Sequence, residues 1–580
     1  MTLDPQASPF RFGMPWASVA LQATALTVAL WPGVGESTRL LLLMAAPVVG
    51  AVLFLIWLLL AAPLGRLERM TLIVAFAAIV SAALLLADPE TRPAVWAVGV
   101  PLAMLAVTAV LQVTCWTGSA GRLRWLLPAL AGSLLVWIPL RVTGLADGEP
   151  AASWRWAASL HRAPSGGGAS AVAVGAAVGP SHWPGFRGPG RDGRVPEFDV
   201  TLNWRFSPPR EAWRVPVGPG WSSFAVAEGR LYTQEQRGDE ELVSAFDIDT
   251  GEALWRSPYR ARFAEMAAGA GPRGTPTFSN GRIYALGATG VLRAVDAATG
   301  EGLWHRDLQA DFAAPLPGWG FSASPLVVAG GDDAGNDERV VVYAGGPGDD
   351  GLLAFHGESG EVAWRVATAG MNFSSPQPVR LGGRDLVLWA ERIGVVALDP
   401  AGGEVVWRFS PSVWGGAPIV QVQKIGPDDL IVPLGDGIGI ARIHVEHSAE
   451  GEWTVEERWT SRALKPTFND FVVHDGHLYG FDGSIFACVD GVTGERRWKR
   501  GRYGEGQVLL LGGAGQMLVA AENGELVLLR ADPDRHREEG RVRVLEEKTW
   551  SHPVVVGGRL FLRNAHEAVG LDLVPVRPAD

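Results

Sequence analysis

Cysteine is almost absent from this chain, with only Cys115 and Cys488 in 580 residues. A disulfide framework and a cysteine-based zinc site are both excluded by that count. No C-x-x-C-H occurs to attach a c-type haem, and no H-E-x-x-H sets two histidines on one helix face for zinc. The acidic pairs Asp332-Asp333 and Asp349-Asp350 lack the D-x-D-x-D-G spacing and distal glutamate of a calcium loop, and read as solvated turns. Lysine is scarce as well, four against 46 arginines, and the net charge is −11. A basic surface for nucleic acid is therefore excluded.

What is present falls into two halves. Residues 1–146 are dominated by uncharged runs at 14–35, 40–65, 70–87, 94–118 and 125–140. About 20 apolar residues span a bilayer, so the first four runs suffice. The fifth is shorter and needs Arg141 to snorkel, letting the span continue to Leu145. The runs carry no polar stripe, which argues against buried core helices and for a helical transmembrane domain of about five spans in membrane lipid. Arg11, Arg66, Arg69, Arg122 and Arg124 fall on one side; Arg39, Arg92 and Arg141, with Arg155 further out, fall on the other. This excess places the N-terminus in the cytoplasm and, with an odd span count, the C-terminal half outside an inner membrane, on the periplasmic side. Four spans would invert that. The first span is long and runs on into others, so it does not read as a cleavable signal. Residues 147–199 form a linker and lead-in segment, of which 162–181 (RAPSGGGASAVAVGAAVGPS) is a Gly/Ala/Ser-rich tether.

The second half, residues 200–580, repeats one phrase five times. These are AFDIDTGEALW (245–255), AVDAATGEGLW (294–304), AFHGESGEVAW (354–364), ALDPAGGEVVW (397–407) and CVDGVTGERRW (488–498). Each joins a strand end to a turn, a glycine suited to positive φ, a glutamate and a tryptophan able to wedge against the next repeat. Extending the register puts tryptophans at 213, 255, 304, 364, 407, 459, 498 and 550, at intervals of 39 to 60 residues. Four short strands with turns need about 40–50 residues, the size of a propeller blade. Only three strands follow Trp550, at 553–556, 559–563 and 567–573, whereas 211–215 is a tryptophan strand with no blade before it. Joining them gives an all-β, eight-bladed propeller of four-stranded antiparallel blades closed by its N-terminal strand. Seven blades remain if 444–459 is an insertion. The stretch DPDRHREEGRVR (532–543) reads as an exposed charged excursion of blade seven.

The phrase A-x-D-x-x-T-G-E-x-x-W resembles the tryptophan-docking motif of the pyrroloquinoline-quinone propeller superfamily, over about residues 183–575. That superfamily includes quinoprotein alcohol and glucose dehydrogenases and a cofactor-free propeller lipoprotein of the outer-membrane assembly machinery. WPGFRGPGRDG (183–193), with residues 221–247 and 474–490, is similar to a large group of quinone-repeat-like bacterial propellers. Five spans ahead of an external propeller resemble the layout of membrane-bound quinoprotein glucose dehydrogenase. The superfamily's alcohol-type enzymes carry an adjacent cysteine pair that this chain lacks, and no family active-site residue transfers by motif.

Propeller chemistry sits where inner strands converge on the channel mouth. The loops leading into those strands offer Trp221, Arg273, Asn372, Trp414, Lys465, Asn469, Asp470, Glu505 and His552. If the resemblance extends to cofactor, an indole would stack on the quinone, Arg or Lys would meet its carboxylates, and Asn with Asp or Glu would hold Ca²⁺. Asp470 would then be the general base for an alcohol. The competing expectation is that eight strands crowding one axis need small polar residues merely to satisfy backbone groups. The sequence thus points to a membrane-anchored binding or scaffold module for an envelope protein or ligand. The alternative is a pyrroloquinoline-quinone-dependent sugar or alcohol dehydrogenase feeding the membrane quinone pool. A sensor is disfavoured because the loops on the inner side are short.

Overall fold

The computed structural model describes residues 13–29, 36–60, 62, 64–87, 91–92, 95–114, 119–143, 151–154, 180–265, 268–331, 337–413, 415–416, 418–435 and 437–573. Trp414, Cys115, Asp332, Asp333 and most of the 162–181 tether lie outside the described residues. The chain divides into two compact units, Met1–Leu160 with Ala264–Ala270, and His161–Phe263 with Gly271–Asp580.

The first unit contains helices Gly13–Ala29, Glu36–Leu60, Arg66–Leu86, Val95–Thr114 (opening with a π turn) and Ser119–Leu135. Apolar side chains such as Trp57, Leu72, Met104 and Leu130 pack at their centre. Among the described residues, Arg66–Leu86 and Val95–Thr114 are long and apolar enough to cross a membrane; Ala45–Leu60 and Arg124–Leu135 are shorter apolar helices. Arg69 spends its guanidinium on the carbonyls of Leu59, Ala62 and Leu64, at 2.6–3.1 Å, satisfying the end of the preceding helix. The last helix stops at Leu135, and Leu140–Thr143 pairs antiparallel with Ala151–Trp154. The expected run of a fifth span through Arg141 to Leu145 is therefore corrected: Pro139 lacks an amide donor and pushes its neighbour towards extended backbone.

The second unit is a ring of eight antiparallel meanders. Inner strands are Ala225–Ala227, Thr277–Ser279, Leu326–Ala329, Gln377–Leu381, Gln423–Lys424, Val472–His474, Gln507–Leu511 and Val554–Val556, blades 1 to 8 in order. Closure is as expected: Arg210–Pro216 completes blade 8 by pairing with Glu567–Asp572, Trp213 opposite Gly570. The stretch 444–459 belongs to a long hairpin, Ile440–His447 against Trp453–Ser461, so blade 5 is a full blade.

Tryptophans 213, 255, 304, 364 and 459 each lie on the next blade's turn glycine. Trp255 covers Gly300 and donates its Nε1–H to Ala297 O at 3.1 Å; Trp304 covers Gly360 and donates to Gly357 O at 2.9 Å. The motif aspartate caps its own turn, Asp296 Oδ1 accepting from Ala298 and Thr299 amides. Gly300 thus has two reasons to be glycine: φ is +77°, and a Cβ would lie 2.5 Å from the Trp255 ring. Gly281, also at positive φ (+72°), would meet nothing. Gly300→Ala should cost about 2–4 kcal/mol, summing left-handed strain and overpacking. Gly281→Ala should cost about 1 kcal/mol. Urea denaturation of the two variants checks this, and equal losses would mean that the indole is not wedged there.

Two sequence readings are corrected in blade 7. Arg537–Arg543 is its outer strand, paired with Glu525–Arg530, and not an excursion. Its charges are laced by Arg541 with Glu525 (2.7 Å) and Glu538 (2.9 Å), which is why the strand looks like a loop by composition. The docking position there is Gly540, opposite Leu528, and Trp550 lies beyond the blade. Trp204, from the lead-in segment, covers Gly540 in place of a repeat indole.

Candidate functional site

All eight inner strands have a polar residue two positions ahead of their first residue, and hydrogen bonds tie these, with Gln507 standing in for Glu505 in blade 7, into a belt around the axis. Ser223 N–H donates to Thr275 Oγ1 (3.0 Å), Thr275 N–H to Ser324 Oγ (2.9 Å) and Ser324 N–H to Ser375 Oγ (2.8 Å). Gln421, in the amide orientation that satisfies both its atoms, accepts from Ser375 N–H at 3.1 Å and donates to Ser375 O at 2.8 Å. Gln421 N–H then donates to Asp470 Oδ1 (3.1 Å) and Asp470 N–H to Gln507 Oε1 (3.2 Å). Ser223 Oγ donates to His552 O at 2.6 Å, so all eight blades are joined. Inner strands crowd one another too closely to leave these amides to water.

The lead-in phrase WPGFRGPGRDG crosses the channel beneath this belt. Trp183 exchanges backbone hydrogen bonds with Val226 of blade 1 (2.6 and 2.8 Å), and Phe278 N–H of blade 2 donates to Pro184 O. Arg194–Val195 leaves by adding a parallel strand to Leu510–Leu511 of blade 7. Between these anchors, Gly188 sits at φ +85° under the Trp183 ring, where a Cβ would lie 2.8 Å away. Tight turns, with Gly188 N–H on Gly185 O and Arg191 N–H on Gly188 O, send two guanidinium groups into the axis. Arg191 donates to the carbonyls of Ser324 (3.0 Å), Pro376 (2.8 Å) and Pro325, and to Thr277 Oγ1. Arg187 donates to Phe471 O (2.9 Å) and Asp192 O (3.1 Å) and lies 3.1 Å from Asp470 Oδ1.

Asp470 Oδ2 meets His552 Nε2 at 3.0 Å, and Phe186 packs edge-on against that imidazole at 4.9 Å. Burial pulls the Asp470 carboxyl up, but Arg187's charge and His552's hydrogen bond outweigh it and hold the group below the usual carboxylate range. Burial lowers the His552 imidazole, with Asp470 only partly opposing. Burial also lowers Arg187.

The other expected site residues are placed as follows. Trp221 packs on Trp550 at 4.9 Å, and Phe468 meets Trp550 edge-on at 4.9 Å. Arg273 lies over the Phe263 ring at 4.8 Å and donates to Gly271 O. Asn372 donates to Ala390 O and accepts from Ser374 N–H, within its own blade. Lys465 lies 3.3 Å from Asp482, which also takes Arg496 and Lys499. Asn469 Oδ1 accepts from Thr467 N–H. Glu505 N–H donates to Glu522 Oε2. Of this set, Asp470 and His552 are brought into direct contact. Arg187, their partner, was visible only as part of the lead-in phrase.

This set does not fit a quinone with Ca²⁺. Both Asp470 oxygens are engaged by Arg187, Gln421 and His552, and Asn372 and Asn469 spend their side-chain oxygens on amides of their own loops. Among the described residues no group of three or more His, Cys, Asp or Glu is placed to hold a metal ion. Cys488 is buried in its strand, its thiol pushed up to about 12 by that burial, so it offers no nucleophile.

A profile of the outer membrane protein assembly factor BamB family matches residues 201–333 and 239–412. No curated protein matches the chain. Among solved structures, BamB from Moraxella catarrhalis aligns at 17% identity with a TM-score of 0.44, covering 63% of this chain and 97% of that one. A quinohemoprotein alcohol dehydrogenase from Pseudomonas putida aligns at 13% identity and a TM-score of 0.36, covering 69% and 82%. One from Comamonas testosteroni aligns at 12% and 0.35, with the same coverage. The strand order, the docked indoles and the family match together assign this propeller to the pyrroloquinoline-quinone-like β-propeller family.

Proposed function

We propose that the chain is a membrane-anchored envelope propeller that serves as a binding or scaffold module for a protein partner. The observation that carries this reading is an arc of exposed apolar side chains on one face, over blades 3 to 5. Leu316 and Trp319 precede the inner strand of blade 3, Met371 that of blade 4 and Val413 that of blade 5, while Ile393 lies in a hairpin turn of blade 4. In an antiparallel meander these connections share one end of the ring. Their exposures run from 45% to 52%. The loops that carry them are tied together: Trp319 packs on the buried Phe373 of blade 4 at 5.0 Å, and Phe373 N–H donates to Pro418 O of blade 5. Apolar side chains gathered this way, beside a polar funnel floored by Asp470 and His552, suit a protein interface.

The anchor in this reading is the helical unit, supported by the two qualifying helices and the further apolar ones beside them.

The test compares Trp319→Asp and Met371→Asp with Val492→Asp, in the full chain expressed in its own cells. Val492 is 70% exposed but lies on a turn at the opposite end of the ring. A discrete envelope protein should co-purify with wild type and with Val492→Asp, and fall at least about tenfold in the other two, as for loss of an interface anchor. Equal recovery from all three rejects the arc. Turnover of an alcohol or aldose with added pyrroloquinoline quinone and Ca²⁺ would replace the scaffold reading.

A further inference from the structure

The outer strand of blade 6, Arg496–Arg502, reads RRWKRGR: five cations in seven residues, all of them exposed. Lys465 joins them by pairing with Asp482 at 3.3 Å, as Arg496 and Lys499 also do. Asp482 is 3% exposed, so it gathers the three from below the surface. Arg497 pairs with Asp534 at 3.0 Å, and Glu495 stands just before the strand. Arg502 reaches Ser484 Oγ at 2.9 Å, and Arg500 has no acceptor among the described residues. Six cations thus meet three carboxylates, an excess of three in a chain whose net charge is −11.

A charged edge keeps a sheet from recruiting another strand, and that alone explains one or two charges. The other outer strands show how few suffice. Ala253–Arg260 carries two arginines and no acid, Arg537–Arg543 three against two glutamates, and Trp453–Ser461 one against two. In the remaining four the excess of cations is at most one. The flanking strands do not offset blade 6, because their glutamates are engaged nearby: Glu456 by Arg458 (2.6 Å), Glu538 by Arg541 (2.9 Å) and Glu539 by Arg530 (3.1 Å). Nor does the strand offer a protein partner an apolar anchor. Trp498 is half-buried, its Nε1–H donating to Asp532 O at 2.9 Å, whereas protein interfaces are built round apolar centres. Dense positive charge without such a centre suits a surface of repeated anionic headgroups, where each lysine or arginine adds about fivefold in affinity.

We propose that this strand docks the propeller on an anionic phospholipid surface. It rests on the anchor reading above, by which the propeller stays near a bilayer. The chain has only four lysines, Lys424, Lys465, Lys499 and Lys548, so acetylation by a neutral amine-reactive ester, read by mass spectrometry, reports on the strand cleanly. The full-length chain is placed in nanodiscs of phosphatidylglycerol or of phosphatidylcholine. Lys499 should react at least about fivefold more slowly in phosphatidylglycerol and recover in about 0.5 M salt. Lys424 and Lys548 should react alike in both lipids. Arg500→Glu/Arg502→Glu, which leaves Asp482 its partners, should abolish the protection without changing the melting temperature. Equal Lys499 rates in the two lipids overturn the proposal. So does equal slowing of Lys424 and Lys548, which reports the discs and not the strand. Protection in both lipids only when an envelope extract is added also overturns it, and gives the strand to an acidic protein. A chain that does not enter the discs sinks the anchor instead, and the docking is then read, with the same outcomes, on that chain mixed with vesicles of each lipid.

Discussion

Asparagine in place of Asp470 should lower the stability of the full-length chain by about 3–5 kcal/mol, read from urea denaturation followed by tryptophan fluorescence. The carboxylate and the Arg187 guanidinium are 3% and 0% exposed, so neither charge can turn to water when the other is removed. Arg187 is also pinned by Phe471 O and Asp192 O, and cannot swing away. Contrast the pair Arg380–Asp385, at 2.8 Å but 64% and 73% exposed: Asp385→Asn should cost less than about 1 kcal/mol. The double variant Arg187→Met/Asp470→Asn should lose less than the two single losses added, since the second change removes the orphaned charge left by the first. Strict additivity would show that the pair is not coupled.

The same network sets a pH dependence. His552 is depressed in the folded chain, chiefly by burial. As the pH falls below about 6.5 the unfolded chain takes this proton first, so stability is lost from there downwards. Asp470 is also depressed when folded, so its contribution is present above its unfolded value near 3.9 and is lost as the pH falls through the folded one. Both groups therefore weaken the propeller on the acid side. In Asp470→Asn the carboxylate's share of that acid loss should vanish while the imidazole's remains.

The ring was legible because its determinants are local. A turn that needs positive φ, an aspartate to cap it and an indole three residues after the glutamate are written contiguously, and Gly251, Gly300, Gly360, Gly403 and Gly494 all fall under the preceding blade's tryptophan. Closure was legible for the related reason that 211–215 is a docking strand in search of a blade. The belt was only half legible. Ser223, Thr275, Ser324 and Ser375 are small polar residues of the expected kind, but nothing in their neighbourhoods says that each side chain serves the next blade's amide. Asp470 was legible as a carboxylate at the channel mouth, but its ion pair was not, because Arg187 is 283 positions away and faces it only once the lead-in segment crosses the axis. Where charge dominates composition, as in Arg537–Arg543, a paired strand is hidden from any hydropathy reading.

Trp204→Ala should destabilise the chain by about 3–5 kcal/mol, the loss expected for a buried tryptophan truncated in place. Trp550→Ala should cost less than about 2 kcal/mol. By repeat register alone the order would be reversed, since Trp550 falls where an eighth docking indole is due and Trp204 precedes every repeat. The packing decides otherwise. Trp204 is 6% exposed, and a Cβ on Gly540 would lie 2.6 Å from its own Cβ. Its segment is clasped by Gln516, which accepts from Leu202 N–H at 2.8 Å and donates to Leu202 O at 2.9 Å, and Phe198 and Leu202 are buried alongside. Trp550 is half-buried against Trp221 and Phe468, with Lys548 over its ring at 4.3 Å, in the connection between blades 7 and 8. Blade 7 thus borrows its indole from ahead of the ring, just as blade 8 borrows its outer strand. The two loans make the segment 183–216 part of the propeller's fold: it seals the channel, covers blade 7 and closes blade 8. Denaturation midpoints of the two variants test this, and a larger loss in Trp550→Ala would return the docking role to the repeat register.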